Sequence, residues 1–162
     1  MQFKEFLEKG LIVKSDANFK INLFLKKAEG SFLIALHNKT PPKTPDLIYW
    51  WQWSITIAYY SMLYAAKAAI LTKGYEVKTH KAAQIALDYL LVPDQLEKED
   101  LEILNQAHKI FEDDYVKYFE DARHESNVAR YRAKPTYTER RVKEILSNSK
   151  KFIQKINSII TN

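Results

Sequence analysis

Apolar residues recur at steps of three and four along most of the chain, a spacing typical of helices that bury one face. The clearest series consists of Leu101, Leu104, His108, Phe111, Tyr115, Tyr118 and Ala122. No segment shows a convincing alternation of apolar and polar residues, which would indicate a half-buried strand. The pattern therefore predicts a chain built from helices alone.

Capping residues and helix breakers place the ends of these helices. The first has cap candidates at Ser15 and Asp16 and ends before the connector TPPKTPD, because proline cannot continue a helix. The second helix is predicted over about 46–73 and stops at Gly74, and the third runs from the cap Thr79 to Leu91. The fourth is predicted over about 101–131. The fifth begins at the capping-box pair Thr136 and Glu139. The last of them is expected to bury Val142, Ile145, Leu146, Phe152, Ile153 and Ile156.

The composition agrees with a single helical domain. The chain has 162 residues with only three glycines and five prolines, so it is long enough for its own core and poor in turn formers. Long helices with short connectors predict an all-α fold, an up-and-down bundle of four to five helices that covers residues 1–162. The absence of cysteine excludes disulfides and cysteine-ligated zinc.

The stretch from Leu47 to Ala66 carries no charge and has about the length that spans a bilayer. Its three tryptophans and four tyrosines lie along the whole stretch, whereas membrane spans concentrate these residues at the two interfaces. We therefore expect a central core helix and no membrane contact. No signal peptide is visible in the N-terminal residues, so a cytoplasmic location is expected.

Charge is distributed unevenly along the chain. The net charge is −7 over residues 94–122 and +7 over residues 123–162, and all five arginines lie between Arg123 and Arg141. Such an asymmetry suits self-association or an anionic ligand. Arginine binds phosphate with two parallel hydrogen bonds, whereas lysine supplies a point charge.

If the fourth helix continues to about residue 131, one of its faces gathers Arg123, Asn127, Arg130 and Tyr131. Arg132 adds a further guanidinium, and the tyrosine ring offers a stacking surface for an unpaired base. The small residues Ser126, Ala129 and Ala133 continue the buried side. The face is thus either an anion-binding surface or a solvated surface paired with the acidic segment upstream.

The sequence offers little support for other chemistry. The four histidines form no H-E-x-x-H pattern, and no nucleophile arrangement or glycine-rich phosphate loop is visible. His108 lies in the apolar series and is expected to be a hydrogen-bonded histidine at the edge of the core. His80 is expected in the first turn of a helix. We expect no metal and no cofactor.

Taken together, three segments resemble the HEPN superfamily. They are WQWSITIAYYSMLYAAKAAILTKGYEVKTHKAAQIAL, then ARHESNVARYR, and after a break TERRVKEILSNSKKFIQKI. The similarity covers about residues 15–160 and implies a bundle that dimerises across its polar helix. It also implies either a metal-independent ribonuclease or a domain that binds RNA or a partner protein. Many such domains are encoded beside a small nucleotidyltransferase in toxin–antitoxin pairs.

The family's ribonuclease motif is an arginine followed, after about four to six residues, by a histidine, and two protomers bring it together. Arg123 takes the arginine position, but Arg130 stands where the histidine is expected. Arginine stays protonated and cannot act as a general base, so the motif is degenerate and no catalytic residue is assigned. His124 and Arg123 remain the candidates if the two protomers combine them.

Three hypotheses follow. The first is a dimeric module that binds RNA or a nucleotide through Arg123, Asn127, Arg130, Tyr131 and Arg132. The second is an active metal-independent endoribonuclease that uses Arg123 and His124 across the dimer. The third is a purely structural interaction bundle in which the acidic and basic segments pair.

Overall fold

The computed structural model describes residues 1–40, 43, 47–123 and 138–162, with backbone alone for 47–49 and 111–123. Its elements are α1 (Gln2–Glu8), β1 (Ile12–Lys14), α2 (Phe19–His37), α3 (Leu47–Thr72), β2 (Tyr75–Val77), α4 (His80–Leu91), α5 (Lys98–Arg123) and α6 (Glu139–Thr161). The long helices form a bundle, so the predicted all-α class is confirmed.

Helix α3 is the centre of the bundle, because α2, α4, α5 and α6 all pack against it. The segment Trp50–Thr72 is long and apolar enough to cross a membrane, but 67% of its most apolar window is buried inside the protein. Helices of the bundle therefore cover the surface that lipid would cover in a membrane span. The prediction of a core helix is confirmed.

Helices α2 and α3 form the most extensively packed pair, and small side chains line both of them. We call the fully buried alanines of this contact the alanine seam, in which those of α3 share the face of Ser54 by helical spacing: Ala28, Ala35, Ala58, Ala65 and Ala68. A buried hydroxyl adds a polar link, since Ser54 Oγ donates to the carbonyl oxygen of Ala35 at 2.8 Å. Because these side chains are small, the backbones of α2 and α3 can lie close together.

The outer face of α2 is unexpectedly apolar. Phe19, Leu23, Leu33 and Ile34 follow helical spacing in the sequence, yet all four are exposed, whereas Ala28 and Ala35 face the core. Large apolar residues thus lie on both sides of α2, because Leu25 and Phe32 pack against the core on the inner side. Periodicity alone identifies a helical face but not which face the neighbouring helix covers.

Two short strands correct the expectation that the chain has no strand. β1 pairs with β2 in antiparallel orientation, with Ile12 opposite Val77 and Lys14 opposite Tyr75. Gly74, which adopts φ of +82°, ends α3 as predicted and turns the chain into β2. Each strand has three residues, which is too short for an alternating pattern to stand out.

The helix starts agree with the prediction at one position and differ at two. Thr79 caps α4 by accepting a hydrogen bond from the Ala82 amide at 3.1 Å, as predicted. Helix α2 begins only after Asn18, so Ser15 and Asp16 are not its caps. Helix α6 is capped by Thr138, and the predicted Thr136 capping box is therefore wrong.

Helix α6 buries the whole predicted face against the bundle: Val142, Ile145, Leu146, Phe152, Ile153 and Ile156. A buried serine pair reinforces this contact, since the hydroxyls of Ser61 and Ser149 lie 3.0 Å apart. Ser61 Oγ donates to the carbonyl oxygen of Ala58 at 2.6 Å, and Ser149 Oγ lies within hydrogen-bond distance of the same oxygen and of Ser61 Oγ. The polar atoms between α3 and α6 therefore satisfy each other in the core.

Candidate nucleic-acid interface

The predicted arginine face lies almost wholly outside the described residues. Arg123 is the last residue of α5, and the structure describes its backbone alone. The other predicted site residues, and the small residues of the proposed dimer contact, fall within 124–137: His124, Ser126, Asn127, Ala129, Arg130, Tyr131, Arg132 and Ala133. The predicted face therefore stays a prediction.

The structure does describe the helices on both sides of that segment. Arg140 and Arg141 are exposed in the first turn of α6, where the Arg141 amide donates to Thr138 Oγ1 at 3.2 Å. A shallow hollow between α5 and α6 places the Arg141 side chain beside Gln106, Glu144 and Asn148, over a floor of apolar residues. Two guanidiniums of the arginine stretch are thus available to solvent.

The structure also brings together two histidines that the sequence separates. The rings of His80, at the start of α4, and His108, on α5, stack with centroids 5.1 Å apart and an interplanar angle of 24°. Tyr59 of α3 lies beneath both, with ring centroids 5.3 Å from His80 and 5.5 Å from His108. Its hydroxyl is a hydrogen-bond partner of His80 Nδ1.

This histidine–tyrosine cluster joins three helices. Tyr59 is only 1% exposed, whereas His80, His108 and the neighbouring Tyr60 are half-buried. The hydrogen bond at Nδ1 fixes the orientation of the His80 ring. The expectation that His108 lies at the core edge agrees with its half-buried position. Its proximity to His80 depends on how α4 and α5 pack on α3, which sequence spacing cannot give.

Among the residues that the structure describes, no group of three histidine or carboxylate side chains could hold a metal ion.

A second group of interacting polar and aromatic residues lies on the opposite part of α3, near the β-strands. Lys27 Nζ of α2 lies 5.3 Å from the centroid of the Tyr64 ring, within the range of a cation–π contact. Phe24 stacks with the same ring at 6.4 Å and 18°. Lys67 follows Tyr64 on α3 by three residues, so both side chains lie on one face of that helix.

The charges around this group interact. Burial lowers the pKa of the Lys67 ammonium, and the nearby Lys27 lowers it further, while Glu76 acts in the opposite direction. Lys20 donates to Glu76 at 2.8 Å. Hydrogen bonds from Lys20 and Ser15 in turn lower the pKa of Glu76. This group could not be predicted from the sequence, because its residues come from α2, α3 and β2.

Comparison with known proteins places most of this fold in one family. A family model described as HEPN domain matches residues 47–159, which is more than two thirds of the chain. No curated protein matches the chain. The matched range contains α3, α4, α5, the whole arginine stretch and nearly all of α6, whereas α1, β1 and α2 precede it.

Proposed function

Because this chain belongs to the HEPN family, we propose that it is a dimeric helical module that binds RNA or a nucleotide through its arginine stretch. Family membership supports a nucleotide- or RNA-related role for the bundle. The ligand-binding residues of the proposal are Arg123, Asn127, Arg130, Tyr131 and Arg132. The protein is taken to act in the cytoplasm.

The observation that carries the proposal is the position of the arginines. All five lie within residues 123–141, inside the family match, and the two that are fully described are exposed on α6. Several arginines in one short segment of sequence attract a polyanion, and each guanidinium can bind two phosphate oxygens. The net charge of +7 over residues 123–162 acts in the same direction.

Catalysis is not part of this proposal. Because Arg130 occupies the expected histidine position, the proposed site binds phosphate but lacks a general base. We further propose a partner protein of the small nucleotidyltransferase class, in a system of the toxin–antitoxin type. RNA cleavage that persists in EDTA and disappears in His124→Ala would instead establish the endoribonuclease hypothesis.

Replacing Arg123 and Arg130 with alanine should weaken RNA binding at low salt by tenfold or more. The logarithm of the affinity should also fall less steeply with the logarithm of salt concentration. For single-stranded RNA each lost phosphate contact reduces that slope by about 0.7, so two lost contacts reduce it by about 1.4. Fluorescence anisotropy with a labelled oligouridylate, titrated at several salt concentrations, measures both effects.

The matched control is Lys150→Ala with Lys151→Ala, which removes the same charge from exposed positions on α6. We expect it to bind within about twofold of the parent, since diffuse charge contributes less than direct phosphate contacts. Equal weakening in both double variants would mean that only net charge matters, and the proposed face would be wrong.

The dimer is proposed to form through the small residues that follow Arg123. Ala129→Glu adds bulk and a negative charge at that contact, so it should give a folded monomer with little affinity for polyanions. Sedimentation velocity measures the assembly state, and circular dichroism checks the helical content. Ser147→Glu, at an exposed position of α6, is the control and should leave the dimer intact. An Ala129→Glu protein that remains dimeric would place the interface elsewhere.

A further inference from the structure

The outer face of α2 is a continuous apolar surface on the side opposite to the core. Four large apolar side chains on it are exposed: Phe19 by 77%, Leu33 by 63%, Ile34 by 55% and Leu23 by 52%. Together with the exposed Lys26 and with Gly30, they follow one another along the helix at steps of three and four, so they share one face. Exposed apolar residues that form one patch mark an interaction site.

Gly30 lies in the middle of this face, and no contact inside the described part of the chain requires a glycine there. A methyl group at this position would meet no other part of the described protein within 4 Å. The residue also lies inside a regular helix, where glycine is less stable than alanine. Glycine is useful in a helix where another backbone approaches closely. The face therefore suits a second helix better than a lipid surface, which needs no such space.

The charges on α2 indicate which kind of helix fits this face. Lys26 lies within the apolar face, and helical geometry places Lys27 at one edge and Glu29 at the other. Among the residues that the structure describes, neither of these two lysines forms an ion pair. An occupant with carboxylates opposite Lys26 and Lys27 would therefore add charge pairs to the apolar contact.

A second copy of the chain fits this face less well. An antiparallel pair of α2 helices would bring equal edges together, so the two copies of Lys27 would meet, and so would the two copies of Glu29. A parallel pair would bring equal positions together, so the two copies of Lys26 would meet in the middle of the contact. Like charges that face each other weaken an interface.

We propose that the outer face of α2 is the docking surface for an amphipathic helix of a different protein, which presents an apolar stripe and carboxylates that face Lys26 and Lys27. This surface shares no residue with the arginine stretch, and the inference does not depend on RNA binding. Helix α2 precedes the residues that the family model matches. The docking surface therefore belongs to the N-terminal part of this chain and not to the matched part.

Two labelled amphipathic peptides of equal length test the charge of the occupant. Each has leucines at steps of three and four and alanines elsewhere, with glutamates on the polar side of one peptide and lysines on that of the other. In fluorescence anisotropy the parent should bind the glutamate peptide about tenfold more tightly than the lysine peptide. Lys26→Glu with Lys27→Glu should reverse this preference. The matched control is Lys150→Glu with Lys151→Glu, at exposed positions of α6, and it should still prefer the glutamate peptide. Equal binding of both peptides by the parent, or no binding of the glutamate peptide, would overturn the proposal.

Gly30→Leu separates helix docking from unspecific apolar adhesion. The leucine enlarges the apolar surface, so unspecific adhesion would become stronger. It also fills the space for a close backbone, so binding of the glutamate peptide should become about tenfold weaker. Circular dichroism should show the helical content of the parent, because a side chain at this position begins in open space. Tighter binding of the glutamate peptide by Gly30→Leu would contradict the docking of a helix.

Leu23→Glu with Leu33→Glu decides between this occupant and two others. We expect the variant to lose the glutamate peptide and to keep the assembly state of the parent in sedimentation velocity. Dissociation of the parent's assembly by this variant would show that a second copy covers the face, and the proposal would be wrong. Binding of the parent, but not of the variant, to phosphatidylglycerol vesicles, together with no binding of the glutamate peptide, would assign the face to a lipid surface and overturn the proposal as well.

Discussion

Replacing Phe152 with alanine should lower the free energy of unfolding by about 3–5 kcal/mol. Phe152 is fully buried in α6, and it packs into the main core cluster with residues of α3, α4 and α5. Truncation removes its transfer free energy and leaves a cavity that rigid helices cannot close completely. Since small domains are stable by only about 5–15 kcal/mol, this change threatens the folded state as a whole. Urea denaturation followed by circular dichroism measures the loss.

Phe19→Ala is the matched control for this prediction. The substitution is chemically the same, but Phe19 is 77% exposed, so the free energy of unfolding should change by no more than about 0.5 kcal/mol. Similar losses in the two variants would contradict the assignment of inner and outer faces, because they would require Phe19 to be buried as deeply as Phe152.

A fragment that begins at residue 47, where the family match starts, should fail to fold on its own. Residues 1–46 supply α2, which forms the most extensive helix pair with α3, and β1, which pairs with β2. Losing a large buried apolar side chain costs about 1.5–3 kcal/mol. The removed part contributes fully buried Ile12, Ala28 and Ala35 and nearly buried Phe3, together with several partly buried residues. The loss therefore exceeds the margin of a typical small domain.

Thermal unfolding of the fragment 47–162 by circular dichroism tests this expectation, and no cooperative transition should appear. Adding a separate peptide of residues 11–40 should restore part of the helical signal, because it supplies both β1 and α2. If the fragment unfolded cooperatively at the same midpoint temperature as the parent protein, residues 1–46 would not contribute to its stability.

Most helices could be predicted from sequence because their signals are local. Gly74 and Thr79 mark the end of α3 and the start of α4, and both act as their residue types suggest. The buried side of α6 follows directly from its apolar spacing. These features depend on neighbours in the chain, so sequence spacing is sufficient.

The features that could not be predicted depend on contacts between distant residues. Two examples are the stacking of His80 on His108 and the position of Lys27 over Tyr64. To predict them, one must know which helices pack together and how they are shifted along their axes. The outward face of α2 is the clearest case, since a surface with Phe19 and Leu33 resembles a core face in sequence. Helix α3 instead presents small residues that match Ala28 and Ala35. The predicted ligand face lies outside the described residues and stays a prediction.

The alanine seam limits how this protein can diversify. A larger side chain at Ala35, whose carbonyl oxygen is bonded to Ser54 of α3, would force α2 and α3 apart, and overpacking of a close contact typically costs about 1–3 kcal/mol. Trp53, which is 63% exposed on the same helix α3, is under no such constraint. Tolerance to substitution along α3 therefore changes within a single turn. Substitutions on the outer surface can introduce new binding properties, whereas the residues of the seam cannot change without loss of stability.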